Sequence, residues 1–192
     1  MTQIKQIANN RTISKFNIHN TVFLLRHGEC LSNITWPMDN YSDEIDVLTE
    51  QGKSQIKNLL KYFNQFDVTY KIISSTLTRA KESAQILNTG ILNSIVYEPD
   101  LRIVEKNHEE QIDDFNTRID SFFNERISSV GPWIIVMHGH VIETLMLKKL
   151  NAPYELVEKD NHTLGIPGIW GIANGSISAT IDNNFIFFNF VP

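Results

Sequence analysis

Short apolar runs alternate with stretches of helical spacing along most of this chain. Thr21-Val22-Phe23-Leu24-Leu25 is a compact apolar run ending in Arg-His-Gly, which predicts a buried strand. Leu48-Thr49-Glu50-Gln51-Gly52 opens a helix with Thr49 as its N-cap, and Ile56, Leu59, Leu60 and Phe63 then recur on one face. Tyr70 to Ser74 predicts a second buried strand, followed by a helix through Ala80, Ala84 and Leu87. A short strand is predicted at Ile95 to Tyr97. Within Ile112 to Val130, residues Ile112, Phe115, Ile119, Phe122, Phe123 and Ile127 fall close to one helical stripe. Trp133 to Met137 has the strongest buried-strand pattern, and Val141 to Leu150 continues as a helix. Ser176 to Ile181 and Phe185 to Phe190, split by Asp182-Asn183-Asn184, predict a hairpin closing one edge of the sheet. From Ile34 to Val47 the chain has no helical spacing and reads as a long irregular loop. The first 20 residues read as a tail or lead-in, and residues 21–192 as a single domain. Strands alternating with helices predict an α/β layer sandwich.

Composition narrows the class without changing the fold. With 192 residues, 42% hydrophobic and 20% charged, the chain fits one ordinary globular domain. A formal net charge of -5 leaves no basic excess for a nucleic-acid backbone, so any anion site must be a local concentration of positive charge. The single cysteine, Cys30, permits no internal disulfide and suits a reducing compartment. The polar N-terminal stretch does not read as a secretory signal, and no apolar run is long enough to span a bilayer. The expectation is a cytoplasmic protein with no membrane partner.

Three predicted strands end in charged clusters: Arg26-His27-Gly28-Glu29, Ser74-Ser75-Thr76-Leu77-Thr78-Arg79 and His138-Gly139-His140. Ligands in open α/β sheets collect at the carboxyl ends of strands. Parallel neighbours would bring two arginines and two or three histidines into one small space, beside helix N-termini that bind anions. Guanidinium forks grip phosphate oxygens in pairs. A neutral imidazole among them can attack phosphorus, and a carboxylic acid can protonate the leaving oxygen.

LRHGECLSN, LTEQGKSQ at 48–55, SSTLTRAKESAQIL, VMHGHVIETLM and Asn174-Gly175-Ser176-Ile177 resemble, in order, five motifs of the histidine phosphatase (phosphoglycerate mutase-like) superfamily. The resemblance runs from Val22 to about Ile181. It implies a three-layer α/β/α sandwich with a mostly parallel central sheet, phosphoglycerate mutase-like in topology. It also implies a phosphate pocket of Arg26, His27, Asn33, Arg79 and His138, with Gly139 beside it. In that pattern His27 is the nucleophile and His138 hydrogen-bonds the phosphoryl oxygens. The family's proton donor is an acid after the second arginine motif. Here Leu101-Arg102-Ile103-Val104-Glu105 displaces it, and Glu105 is the choice, with Glu109 and Glu110 as alternatives. Glu29 and His140 are candidates for the substrate pocket, and His140 has the competing reading of a helix cap.

Blander readings hold elsewhere. His138 and His140 with His108 or His162 lack the spacing of a metal site, so neither metal nor cofactor is expected. Cys30 would need arginine at position 36 for a cysteine phosphatase loop; Trp36 stands there, and Cys30 reads as a small buried filler. Gly165 to Gly171 lacks the ending of a nucleotide P-loop and reads as a surface loop or pocket rim. Asp39, Asp43, Glu44 and Asp46 read as a solvated acidic loop, and Phe185, Phe187 and Phe188 as core and edge packing.

The connection from Ala80 to Met137 is short and acidic, without the basic lid that mutases of this family carry. An open pocket admits water to a phosphohistidine, which favours hydrolysis. The expected function is a metal-independent phosphatase acting on a small phosphorylated metabolite. A mutase-like phosphotransferase and a catalytically silent phosphate-binding module are the alternatives.

Overall fold

The computed structural model describes residues 18–35, 42–103, 110, 112–126, 131–149, 172–181 and 184–192. Six strands form one sheet: β1 (Thr21–Arg26), β2 (Lys71–Ser75), β3 (Ile95–Glu98), β4 (Trp133–Met137), β5 (Ile177–Ile181) and β6 (Asn184–Phe190). Their order is β3-β2-β4-β1-β5-β6. The first four lie parallel, β5 runs antiparallel to β1, and β6 antiparallel to β5. The β5–β6 hairpin closes one edge as its alternating pattern predicts.

The helices are α1 (Leu31–Thr35), α2 (Glu50–Phe63), α3 (Thr78–Ile91), α4 (Ile112–Ser121) and α5 (Gly139–Lys149). Alternation along the strands divides the core into two layers. Phe23, Leu25, Ile72, Ile134 and Val136 pack with Ile56, Leu59 and Phe63 of α2 and Ala80, Ala84 and Leu87 of α3. Leu24, Ile73, Ile135 and Met137 face the other way, onto Phe115 and Ile119 of α4 and Val141 and Ile142 of α5. Because strand side chains alternate with period two, one continuous apolar run buries both faces of the sheet. The architecture is the expected α/β/α sandwich.

Local chemistry explains the boundaries. Thr49 caps α2 as expected, its Oγ1 accepting from Gly52 N–H at 3.0 Å. The N-cap of α3 is Leu77, whose apolar side chain cannot accept a hydrogen bond; the Asp43 carboxylate accepts from Thr78 N–H instead, at 2.9 and 3.0 Å. The long stripe from Ile112 is α-helical only to Ser121 and continues as a π-turn over Phe122–Arg126. The helix after β4 starts at Gly139, two residues before the apolar pattern signals it.

The region between α1 and α2 needs correction. Asp46 is fully buried rather than solvated, and Asp43–Ile45 form a 3-10 turn; Glu44 stays exposed. Residues 1–17, Trp36, Asp39, Glu105, His108, Glu109, His162 and the 165–171 stretch lie outside the described residues. Among the described residues no helix is long and apolar enough to cross a membrane.

Candidate active site

The chain lays down β1, then β2 and β3 outward, and returns to place β4 between β2 and β1. That crossover makes the three charged clusters neighbours at the carboxyl ends of adjacent parallel strands. Arg26 pairs with Met137 in the β1–β4 register, and His27 N–H donates to Met137 O at 3.0 Å, so His27 and His138 leave the sheet side by side. Their ring centroids are 5.2 Å apart, and both are buried.

His27 Nδ1 lies 2.7 Å from Gly28 O. A carbonyl can only accept, so Nδ1 carries the proton and Nε2 keeps its lone pair. Burial, Arg79 and Arg26 together hold the His27 pKa well below the ordinary imidazole value. Burial is also the main cause for His138, followed by Arg79, His27, Arg26 and Arg102. Both rings are therefore neutral at physiological pH. His138 Nε2 lies 2.9 Å from Ser75 Oγ at the end of β2. Among the described residues, His138 Nδ1, Arg26 Nε and Thr76 Oγ1 are buried with no hydrogen-bond partner.

The two arginines are anchored differently. Arg26 Nη1 donates to Ile172 O. Arg79, 4% exposed, pairs through Nη1 with Asp46 Oδ2 at 3.0 Å and Asp43 Oδ1 at 3.4 Å. Asp46 also accepts from Ser32 N–H and Ser32 Oγ, both at 2.9 Å, which ties α1 to the same centre.

Backbone packing fixes the loop after β1. A Cβ on Gly52 would lie 2.0 Å from Glu29 O, and one on Gly28 2.5 Å from Gly52 O, so only glycines allow this crossing. Gln55 Oε1 accepts from Glu29 N–H at 2.9 Å, and Ser83 Oγ accepts from Gly28 N–H at 3.2 Å. The glycine and glutamine of the LTEQGKSQ stretch are thus the parts that grip the His27 loop.

The remaining predicted residues are placed as follows. Asn33 is exposed; its Oδ1 accepts from Cys30 N–H and Asn174 Nδ2, both at 3.1 Å. Gly175 N–H, next along, donates to His27 O at 3.0 Å. Gly139 begins α5 against the Arg26 side chain. Glu29 Oε1 accepts from Thr49 Oγ1 at 2.6 Å, which commits that carboxylate to the start of α2. The half-buried His140 ring packs 5.6 Å from that of Phe115, and burial lowers its pKa. Glu110 makes two bonds to Arg118, at 2.7 and 2.6 Å. Cys30 is buried, and burial pushes its thiol up to about 11.

Ser75, Asp46 and Glu143 were not singled out from sequence as site residues. Ser75 sits inside the second arginine motif, and its position at a strand end was available as a signal. Asp46 and Glu143 carry no local signal, since their partners are distant in the chain.

Residues 22–107 match the family model of the histidine phosphatase superfamily (branch 1). That match takes in a little under half of the chain, and over it the chain is similar to that superfamily. Over 81 residues it is 33% identical to the "Probable phosphoglycerate mutase GpmB" of Erwinia tasmaniensis, covering 42% of this chain and 36% of that protein. Over 78 residues it is 38% identical to the "Serine/threonine-protein phosphatase Pgam5, mitochondrial" of Drosophila persimilis, covering 40% of this chain and 24% of that one. The match therefore spans about a third or less of either curated relative. Among solved structures, the alpha-ribazole phosphatase of Shigella flexneri superposes with a TM-score of 0.66 at 19% identity, over 88% of this chain and 96% of that one. A protein named as a mutase and one named as a phosphatase thus both stand among those this chain is similar to.

Proposed function

We propose that this chain is a metal-independent phosphatase that hydrolyses a small phosphate monoester through a phosphohistidine on His27. The observation that carries the reading is the tautomer of His27: Nδ1–H is committed to Gly28 O, and Nε2 is free to attack. Nε2 forms a bond to phosphorus as the bond to the leaving oxygen breaks, and water then attacks phosphorus to release phosphate and return the electron pair to Nε2. The arginines at 26 and 79 bind the equatorial oxygens and offset the charge that builds on them, in place of a metal ion.

His138 completes the pocket if Ser75 donates to its Nε2, which places the proton on Nδ1, directed to a phosphoryl oxygen. Asn33 and Gly139 are assigned to the same pocket, with Glu29 and His140 toward the substrate side. The leaving oxygen takes its proton from an acid after β3, for which Glu105 is the assignment; Glu110 is engaged by Arg118. The net charge of -5 favours small metabolites over nucleic acids, in a cytoplasmic setting.

The similarity to a protein named as a phosphoglycerate mutase favours a second reading, transfer of the phosphoryl group back to an organic acceptor. Hydrolysis of a generic aryl phosphate, with chelator throughout, separates the two. The phosphatase reading expects steady turnover in the native protein and none in His27→Ala. A single stoichiometric burst of phenol, with slow release of phosphate, indicates the transferase. Turnover that survives His27→Ala contradicts both.

A further inference from the structure

Glu143 is a buried carboxyl, 8% exposed, on α5, five residues after His138. A buried carboxyl away from any apparent function is costly unless its oxygens are engaged. Its Oε1 accepts from Ile172 N–H at 3.2 Å. The carbonyl of the same residue, Ile172 O, accepts from Arg26 Nη1. Ala173 N–H next in the chain donates to Asn189 Oδ1 at 2.7 Å, and Ser176 O accepts from Arg26 N–H at 3.1 Å. The segment 172–176 is therefore a bracket attached to both the main chain and the side chain of Arg26. Glu143 pins the end of that bracket which holds the guanidinium.

We infer that Glu143 is a positioning residue for phosphate recognition: through Ile172 it holds the Arg26 guanidinium with Nε unpartnered and turned to the anion. The inference deepens the phosphatase reading and rests on Arg26 belonging to the phosphate pocket. Two features separate this role from ordinary core packing. First, the Glu143 carboxyl is engaged by Ile172 N–H, the residue whose carbonyl holds Arg26; burial raises the Glu143 pKa, and the Ile172 N–H and then Arg26 oppose that rise. Second, Arg26 Nε is buried without a partner among the described residues, so the side chain is held by one nitrogen while another stays available. A flexible arginine would lose this selectivity, because its five N–H donors compete for the same acceptors.

The test is calorimetric binding of inorganic phosphate, which does not depend on turnover, in native protein, Glu143→Ala, Glu143→Gln, Arg26→Ala and the double variant Arg26→Ala/Glu143→Ala. The expected result is about 10-fold weaker binding in Glu143→Ala, with most of it restored in Glu143→Gln, which keeps an acceptor for Ile172 N–H. In the Arg26→Ala background the same Glu143→Ala change should cost less than about 2-fold. Equal losses in both backgrounds, or unchanged affinity in Glu143→Ala, would overturn the inference. If Glu143→Ala does not fold, Glu143→Gln and Glu143→Met decide it: near-native affinity in both would overturn it, and loss in Met alone supports it. Phosphate binding without aryl phosphate hydrolysis would sink the phosphatase reading while leaving this one to be judged on affinity. No phosphate binding by the native protein would overturn both.

Discussion

Arg26, at the end of β1, and Arg79, in the first turn of α3, lie at the same end of the sheet, but opposite chemistry holds them. Arg26 is tethered to a backbone carbonyl, with the Glu143 carboxyl one residue removed from direct contact. Arg79 is clamped directly by Asp46 and Asp43, and Asp46 is itself fully buried and bonded to Ser32. A buried ion pair adds little net stability when intact, yet leaves an uncompensated charge when one partner is removed. The Arg79 side of the pocket is thus coupled to folding, whereas the Arg26 side is coupled to recognition. The two phosphate-binding positions should therefore respond differently to loss of their supports.

The largest effect is expected at Asp46. Asp46→Ala removes the fully buried carboxylate paired with Arg79 and should cost about 3–5 kcal/mol, read as a drop in urea midpoint with unchanged slope. Hydrolysis should fall with it. If Asp46→Ala is as stable as the native protein, the coupling of Arg79 to folding is wrong. Next, Arg26→Lys keeps the charge but loses the fork, and kcat/KM should fall about 100-fold with the urea midpoint nearly unchanged. A large stability loss there would erase the contrast between the two arginines.

Ser75→Ala addresses the histidine between them. It removes the partner of His138 Nε2 and should lower kcat about 10-fold, with about 1 kcal/mol of stability. A loss confined to KM would show that the Ser75 contact does not set the tautomer. The smallest effect concerns pH. His27 and His138 have pKa values held well below that of the unfolded chain, so below about pH 6.5 the unfolded state binds more protons. Stability should then decrease as pH falls from 7 toward 5, and the slope should shrink in His138→Asn. The acidic limb of kcat/KM should lie below the ordinary histidine range for the same reason. A limb centred near pH 6.5 would mean that the catalytic ring is not shielded as described.

Much of this was legible in the residues. Strand runs, the Thr49 cap, the β5–β6 hairpin and the three charged strand ends are local patterns, and each reports on its own few neighbours. Parallel pairing of β2, β4 and β1 then turns three local patterns into one site. What the pattern could not carry is pairing across distance. Asp46 looks solvated because it follows Asp43 and Glu44 in an acidic stretch, and the partners that make its burial tolerable, Arg79 and Ser32, lie 33 positions on and 14 positions back. Glu143 sits in an apolar helix stretch, and nothing local announces Ile172, 29 residues later. The acids after β3 present the opposite case: their sequence is plain, but Glu105 and Glu109 fall outside the described residues.

The central claim is that the phosphoryl group passes through His27. The most direct measurement is the intact mass of the protein quenched into strong base during turnover of an aryl phosphate, followed by peptide mapping, since phosphohistidine survives alkali. The expected result is a native protein carrying one added phosphoryl group on the peptide containing His27, and no adduct in His27→Ala. An adduct on another residue, or none under conditions where the native protein turns over steadily, would contradict it.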